Sequence, residues 1–343
     1  MKQLFGTAEG KVVIKEMPAP ALRGAGAIVQ ARYSAVSTGT EGTMLRLWCA
    51  GHEAETKDLR LGYSMVGVVR EATPGLEGIQ AGGLAAGAGI GFASHAQLCY
   101  VPKNLLSPCP AGVDLREAAF TTLGACAMQG VRRGKVELGE TVAIVGLGML
   151  GQLAVQIARA AGARVIAIDP QESRLELAKR GGAEAVLTVA AAAQGVKELT
   201  GGRGVDAAIL TAGAPDSSAP LVLGLELTRD RGRVVVVGNM KCEFPRELWY
   251  YKDIELLISR SYGPGRYDPE HEEGGHDYPP GFVRWTEGRN LREFIRLLGA
   301  GLVKVAPLIT HEVPFERAPE MYERLLAQPG ECLGVLLKYP PLP

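Results

Sequence analysis

Gly146, Gly148 and Gly151 stand in the spacing G-x-G-x-x-G, and Asp169 follows eighteen residues after the last of them. In such a turn the first glycine permits the sharp bend. The second lets the backbone approach a pyrophosphate, and the third lets a helix pack closely on a strand. The free N–H groups of the next helix start, those of Met149 and Leu150 among them, favour negative charge there. A carboxylate at Asp169 accepts hydrogen bonds from both adenosine ribose hydroxyls and repels a 2′-phosphate, which favours NAD over NADP. Arg174 is the counter-indication, because its guanidinium suits that phosphate. Gly238, closing the run GRVVVVG, completes the expected cofactor-binding set. A second group of chemistry-bearing residues lies in SRSYGPGRYDPEHEEGGHDYPPGFVRW (259–285). Long polar segments in compact proteins are often functional. Arg260, Tyr262, Arg266, Tyr267 and His276, with Asp268, Asp277 and Tyr278, suit hydrogen bonding to a polyhydroxylated substrate or pairing with phosphate or carboxylate.

A G-x-G-x-x-G spacing is weak in a chain with 45 glycines, so its flanks decide its meaning. TVAIVG (141–146) reads as a buried strand running into the glycines. Leu150, Ala154, Ile157 and Ala161 then recur at helical spacing. RVIAID (164–169) is the next strand. A helix–strand unit follows in SRLELAKRGGAEAVL, then strands in VDAAILTA (205–212), GRVVVVG (232–238) and ELLISR (255–260). This alternation predicts a Rossmann-type, doubly wound parallel sheet. Short β-type runs within 1–110, such as KVVIKEM, GAIVQARYSAV, MVGVVREA and AQLCYVP, are split by Gly- and Pro-rich turns and predict a partly open barrel. Beyond 285 the order is helix (LREFIRLLGAG), strand (LITHEVP), helix (ERAPEMYERLLAQ) and strand (CLGVLLKY).

A chain of 343 residues exceeds what one core usually supports, so two domains are expected. Lys plus Arg and Asp plus Glu number 37 each, which gives no electrostatic reason for a nucleic-acid or anionic-membrane partner. The start, MKQLFGTAEGKVV, has no apolar signal core and no run is long enough to span a bilayer, so a cytoplasmic protein is expected. Six scattered cysteines without a C-x-x-C pair fit a reducing compartment.

Over essentially its whole length the sequence resembles the medium-chain dehydrogenase/reductase (zinc-type alcohol dehydrogenase-like) family. The matching pieces are SAVSTGTE (34–41), GYSMVGVV (62–69), ASHAQLCYVPKN (93–104), GLGMLG with Asp169, ELTGGRGVDAAI (198–209) and ITHEVPFERAPEMYERL. The resemblance implies a GroES-like, barrel-type catalytic domain from 1–118 and 266–343, a Rossmann NAD-binding domain at 119–265, and a cleft between them. It also implies a homodimer or homotetramer. Zinc members hold the metal with a Cys in a C-G-T-D-like turn, a His in G-H-E, and a third Cys or Glu. Here those positions read Thr38-Gly39-Thr40-Glu41 and Gly62-Tyr63-Ser64, and TTLGAC (121–126) offers no clear third ligand. Threonine and tyrosine are poor zinc ligands, and the four close cysteines of the structural zinc lobe are missing. No metal is therefore expected. Gly51-His52-Glu53, with Cys49 nearby, spells the G-H-E letters but lacks the strand that follows the motif in the family.

Without zinc, hydrogen-bond donors must stabilise or deprotonate the alkoxide from which hydride leaves. Thr40 holds the place of the family's proton-passing hydroxyl and Tyr63 replaces a ligand, so both are candidate catalytic residues, with Glu41 and His95 behind them. The 259–285 segment and RWTEGRNLREF (284–294) resemble the dehydrogenase half of bacterial two-part sugar and cyclitol oxidoreductases. The expected activity is zinc-independent, NAD-dependent oxidation of a secondary alcohol of a sugar, nucleotide sugar or cyclitol. The competing readings are a quinone or enone reductase and a non-catalytic dinucleotide-binding redox sensor.

Overall fold

The computed structural model describes residues 1–49 and 58–341, with Cys49 described in its backbone alone. The chain divides into two compact units. One comprises Met1–Leu123, Pro264–Gly301 and Val305–Pro343; the other comprises Gly124–Gly263 and Leu302–Lys304.

The first unit holds a three-stranded antiparallel sheet of β1 (Lys2–Gly6), β2 (Val12–Glu16) and β4 (Leu59–Arg60). Its main sheet contains β3 (Gly26–Val36), β5 (Ser64–Ala72), β6 (Leu84–Ala88), β7 (Leu98–Pro102), β8 (Leu106–Pro108), β15 (Ile309–Pro314) and β16 (Gly334–Lys338). The order is β15-β16-β3-β5-β6-β8, with β7 also on β3. The run GAIVQARYSAV is rich in residues that suit a pleated, buried strand, and β3 is the spine of the unit. It pairs with β5 along most of its length, with β7 at Gly26–Gln30 and with β16 at Tyr33–Val36. The register sets Ser34 opposite Met65 and Ala27 opposite Ala72. One end of β3 therefore lies beside the turn that precedes β5, and the other beside Pro102 and the end of β5. At about 3.3 Å per residue those ends are roughly 25 Å apart. Met65, Val66, Leu106, Phe294, Phe315 and Leu336 are buried in this unit's core.

The second unit is a six-stranded parallel sheet of β9 (Thr141–Val145), β10 (Arg164–Ile168), β11 (Ala185–Leu187), β12 (Val205–Leu210), β13 (Thr228–Val236) and β14 (Glu255–Ile258). The order is β11-β10-β9-β12-β13-β14. The chain winds outward from β9 in both directions, so the order reverses between β9 and β12. In open α/β sheets ligands bind outside the carboxyl ends of the strands at that reversal. Val145, Ile168, Leu210, Leu221, Leu225 and Val236 belong to the core that fixes the strand ends. The predicted α/β architecture, a doubly wound parallel sheet with a second sheet of barrel type, is the one observed. Among the described residues no helix is long and apolar enough to cross a membrane.

Candidate active site

The glycine-rich turn lies at the reversal point. Gly146 ends β9 with φ +90°, a conformation glycine adopts without strain. Its N–H bonds the Ile168 carbonyl at 2.9 Å, tying the turn to β10. Helix Met149–Ala160 begins at Gly148, which supplies no side-chain cap. A Cβ on Gly151 would overlap the carbonyl oxygen of Gly146, whereas a Cβ on Gly148 would meet nothing within 4 Å. The third glycine is thus needed by the protein itself, and the second leaves open space at an uncapped helix start. Asp169 is 2 % exposed. Its Oδ2 accepts from the Leu147 N–H at 2.6 Å and its Oδ1 from the Gln171 N–H at 2.9 Å, which aims the carboxylate at the turn. Arg174 lies 4.0 Å from the same carboxylate. Gly238 follows β13 and, like Gly146, packs directly on Ala212. Met149 is buried and Leu150 half-buried in the first helical turn. An uncapped helix N-terminus, a position without a side chain and a fixed carboxylate fit the diphosphate and ribose of a dinucleotide.

Glu41 and His95 meet in the first unit, at the Ser34–Val36 end of β3, with Thr40 preceding Glu41 in the chain and Tyr63 following Gly62, whose N–H donates to Glu41. Helix Thr40–Cys49 starts with an exposed Thr40, and the next residue, Glu41, turns inward to 1 % exposure. Its Oε1 accepts from the Ser37 N–H at 2.8 Å. Its Oε2 accepts from the Gly62 N–H at 3.1 Å and the Tyr322 hydroxyl at 2.5 Å, and lies 3.2 Å from His95 Nε2. His95 Nδ1 is 2.7 Å from Ser34 Oγ, which is 2.9 Å from the Tyr339 hydroxyl. The imidazole thus bridges Glu41 and Ser34, and Ser34 carries the hydrogen-bonded chain on to Tyr339. Burial alone would raise the Glu41 pKa, but His95 and the hydrogen bonds from His95, Tyr322 and Ser37 outweigh it and hold it below the ordinary carboxyl value. Burial pushes the Tyr322 and Tyr339 hydroxyls well above theirs, so both remain donors. Tyr63 is half-buried; its carbonyl accepts from the Gly89 N–H and the Thr122 hydroxyl, both at 3.1 Å.

This donor set does not fit a zinc ion. Thr38 and Tyr63 offer neutral hydroxyls, and the nearby imidazole and carboxylate spend their lone pairs on one another and on Ser34, Ser37, Gly62 and Tyr322. Among the described residues no three His, Cys, Asp or Glu side chains are placed to hold a metal ion. His52 and the side chain of Cys49 lie outside the described residues.

The polar 259–285 segment is divided. Arg260, exposed, and Tyr262, 2 % exposed, belong to the second unit. Arg266, Tyr267 and His276 belong to the first unit. There the 264–289 stretch packs around Asn104, whose amide donates to the carbonyls of His271 and His276 at 2.7 and 3.3 Å. Asn104 follows β7, at the end of β3 remote from Tyr63, so these residues are not gathered with Thr40, Glu41 and His95. Arg266 pairs with Glu272 at 2.6 Å and lies under the exposed ring of Tyr267. His276 is exposed beside Glu270 at 3.3 Å. Sequence reasoning missed Ser34, Tyr322 and Tyr339, whose roles depend on contacts across most of the chain. It also passed over His271, which short helix Pro269–Glu272 turns inward.

The model of the family described as zinc-binding dehydrogenase matches residues 150–272. Sorbitol dehydrogenase of Bacillus subtilis (strain 168) is 32% identical over 235 residues, which are 67% of this chain and 59% of that protein. D-guloside 3-dehydrogenase of Escherichia coli (strain K12) is 31% identical over 65% of this chain and 61% of its own length. The chain thus spans about three-fifths of these relatives. Alcohol dehydrogenase TADH from Thermus sp. ATN1 shares the fold, with a TM-score of 0.80 at 23% identity over 99% of this chain and 100% of that one.

Proposed function

We propose that the chain is a member of the zinc-binding, medium-chain dehydrogenase family, and that it oxidises a secondary alcohol of a sugar, nucleotide sugar or cyclitol with NAD, or runs the reverse reduction, without zinc. The observation that carries this reading is the combination of an intact dinucleotide turn, Asp169 included, with hydroxyl side chains and a closed Glu41–His95 network where zinc ligands would stand. The relatives named for sorbitol and for a D-guloside support the substrate class.

NAD, which the Gly146–Gly151 turn and Asp169 would hold, would supply the hydride acceptor. Tyr63 is assigned the relay of the alcohol's hydroxyl proton, its own hydroxyl proton passing to solvent water as it takes up that of the alcohol, and Thr40 the hydrogen bond to the alcohol oxygen. Glu41 and His95 act through them. By anchoring the Ser37 and Gly62 N–H groups, Glu41 fixes the backbone beside both hydroxyls. The purified protein, given NAD with sorbitol, a guloside and a panel of cyclitols and nucleotide sugars, is expected to generate reduced nicotinamide. Tyr63→Phe is expected to lower kcat by about 100-fold or more. Consumption of NADPH alone, with quinones, would move the reductase reading to first place, and NAD binding without turnover on any alcohol would leave a non-catalytic protein.

We also assign a homodimer or homotetramer through the β14 edge, where Ile258 is 69% exposed beside an open strand. Light scattering should give a mass at least twice that of the chain, and a monomer at micromolar concentration would refute it.

A further inference from the structure

The first unit contains a second concave site, at the far end of β5 from Tyr63. This cavity of about 400 Å³ reaches from the Gly75–Ile79 loop across Lys103 and Asn104 to Thr286–Arg292. β5 begins directly after Tyr63 and ends at Ala72, so the cavity is about 25 Å from the candidate proton donor.

Its floor is His271. The ring is 1 % exposed and stacked on Tyr278 with centroids 5.0 Å apart. Neither ring nitrogen has a side-chain hydrogen-bond partner, and the backbone of His276 is the polar main-chain group that acts on the ring. The nearest carboxylate oxygens, of Asp277 and Glu287, stand 3.9 and 3.7 Å away, too far for a direct bond. Burial holds the imidazole below its ordinary pKa, so near neutrality it keeps one donor and one acceptor. The lining also carries three cations and two carboxylates, Lys103, Arg289 and Arg292 against Glu77 and Asp277. Arg289 is committed to the frame: its guanidinium bonds Asp277 and the Tyr278 carbonyl, both at 2.6 Å. Arg292 meets Glu77 at 2.9 Å, but both are exposed and such a pair exchanges readily with a competing anion. The Lys103 ammonium makes no ion pair with any described residue, so it is the lining cation free to meet an anionic group.

The backbone is shaped to this lining. Gly265, at φ +103°, lies so close to His271 that a Cβ would overlap the ring, and a Cβ on Gly275 would come within 2.9 Å of the Lys103 stem. The volume suits a molecule the size of a six-carbon sugar derivative.

We propose that this cavity binds a small hydroxylated organic anion, its carboxylate or phosphate oxygens held by Lys103 and Arg292 and a hydroxyl by His271. The site is separate from the redox chemistry and does not depend on the dehydrogenase reading. Calorimetric titration of the full chain in saturating NAD tests it, with gluconate, glucose 6-phosphate and glucose as probes. One of the two anions should bind saturably at one per chain, and which one does so distinguishes carboxylate from phosphate. Neutral glucose should bind at least tenfold more weakly. Lys103→Ala and Arg292→Ala, both at the solvent-facing rim, should each weaken the anion about tenfold or more and leave NAD affinity unchanged. Arg292→Lys should restore part of the loss. Absence of saturable binding by either anion, equal affinity for glucose, or unaltered binding in both alanine variants would overturn the proposal. NAD titration of the same variants separates that failure from a failure of the cofactor assignment.

Discussion

Glu41→Ala is expected to lower the unfolding free energy of the first unit by about 3–5 kcal/mol. The carboxylate is the common acceptor for the Ser37 and Gly62 N–H groups, His95 and the Tyr322 hydroxyl. Its removal strands buried groups from four separate stretches of chain, each costing about 1–3 kcal/mol when left unpaired. Glu41→Gln keeps the volume but presents an amide N–H₂ to groups that are themselves donors, so it should also destabilise, by less. The wild-type contribution depends on pH in a definite direction. The folded carboxyl is held below its ordinary 4.5, so the folded chain takes up that proton less readily than the unfolded one. The stabilisation is present above that value and drains away as pH falls through the lower, folded one. Urea titrations at neutral pH and at successive acidic pH values check both points. A Glu41→Ala midpoint shift worth under 1 kcal/mol, or an acid limb that persists unchanged in Glu41→Gln, would remove Glu41 from the centre of this network.

The second large effect separates two glycines only three residues apart, Gly148 and Gly151. Gly148→Val should leave unfolding unchanged and weaken NAD by about 100-fold or more, because only a bound pyrophosphate would meet the new side chain. Gly151→Val should destabilise the second unit itself, since its Cβ overlaps the Gly146 carbonyl and presses on the Thr211 hydroxyl at 2.9 Å. Fluorescence titration with NAD beside thermal unfolding distinguishes the two. If Gly148→Val binds NAD within threefold of the parent, the dinucleotide is not seated on this turn.

The parallel sheet was legible because its central strands are local apolar runs, and β9 and β10 lead directly into local helical repeats. TVAIVG, RVIAID and VDAAILTA correspond to β9, β10 and β12 within a residue or two. The same locality made Asp169 readable at the end of its strand. The inward face of Glu41 was not, because the partners that bury it are a glycine N–H 21 residues on and a tyrosine 281 residues on. Tyr322 reads in sequence only as one position of an amphipathic helix. The 259–285 segment shows the limit from the other side. Its polar composition is plain, but which of its side chains face inward is not. Nor does spacing tell that His271 faces inward while His276, past the Gly274–Gly275 turn, faces water.

The hydrogen bond between Tyr339 and Ser34 closes a loop of 305 residues, and β16 adds to β3 only after all of the parallel sheet has been made. The second unit draws nearly all of its residues from one uninterrupted stretch, Gly124–Gly263. During synthesis that parallel sheet can mature while β3 still waits for its C-terminal neighbour, exposing an unpaired strand edge. The order of assembly is therefore inverted relative to the chain. Ser34 and Glu41 emerge before the parallel sheet, yet their buried network is completed only when Tyr322 and Tyr339 arrive after it.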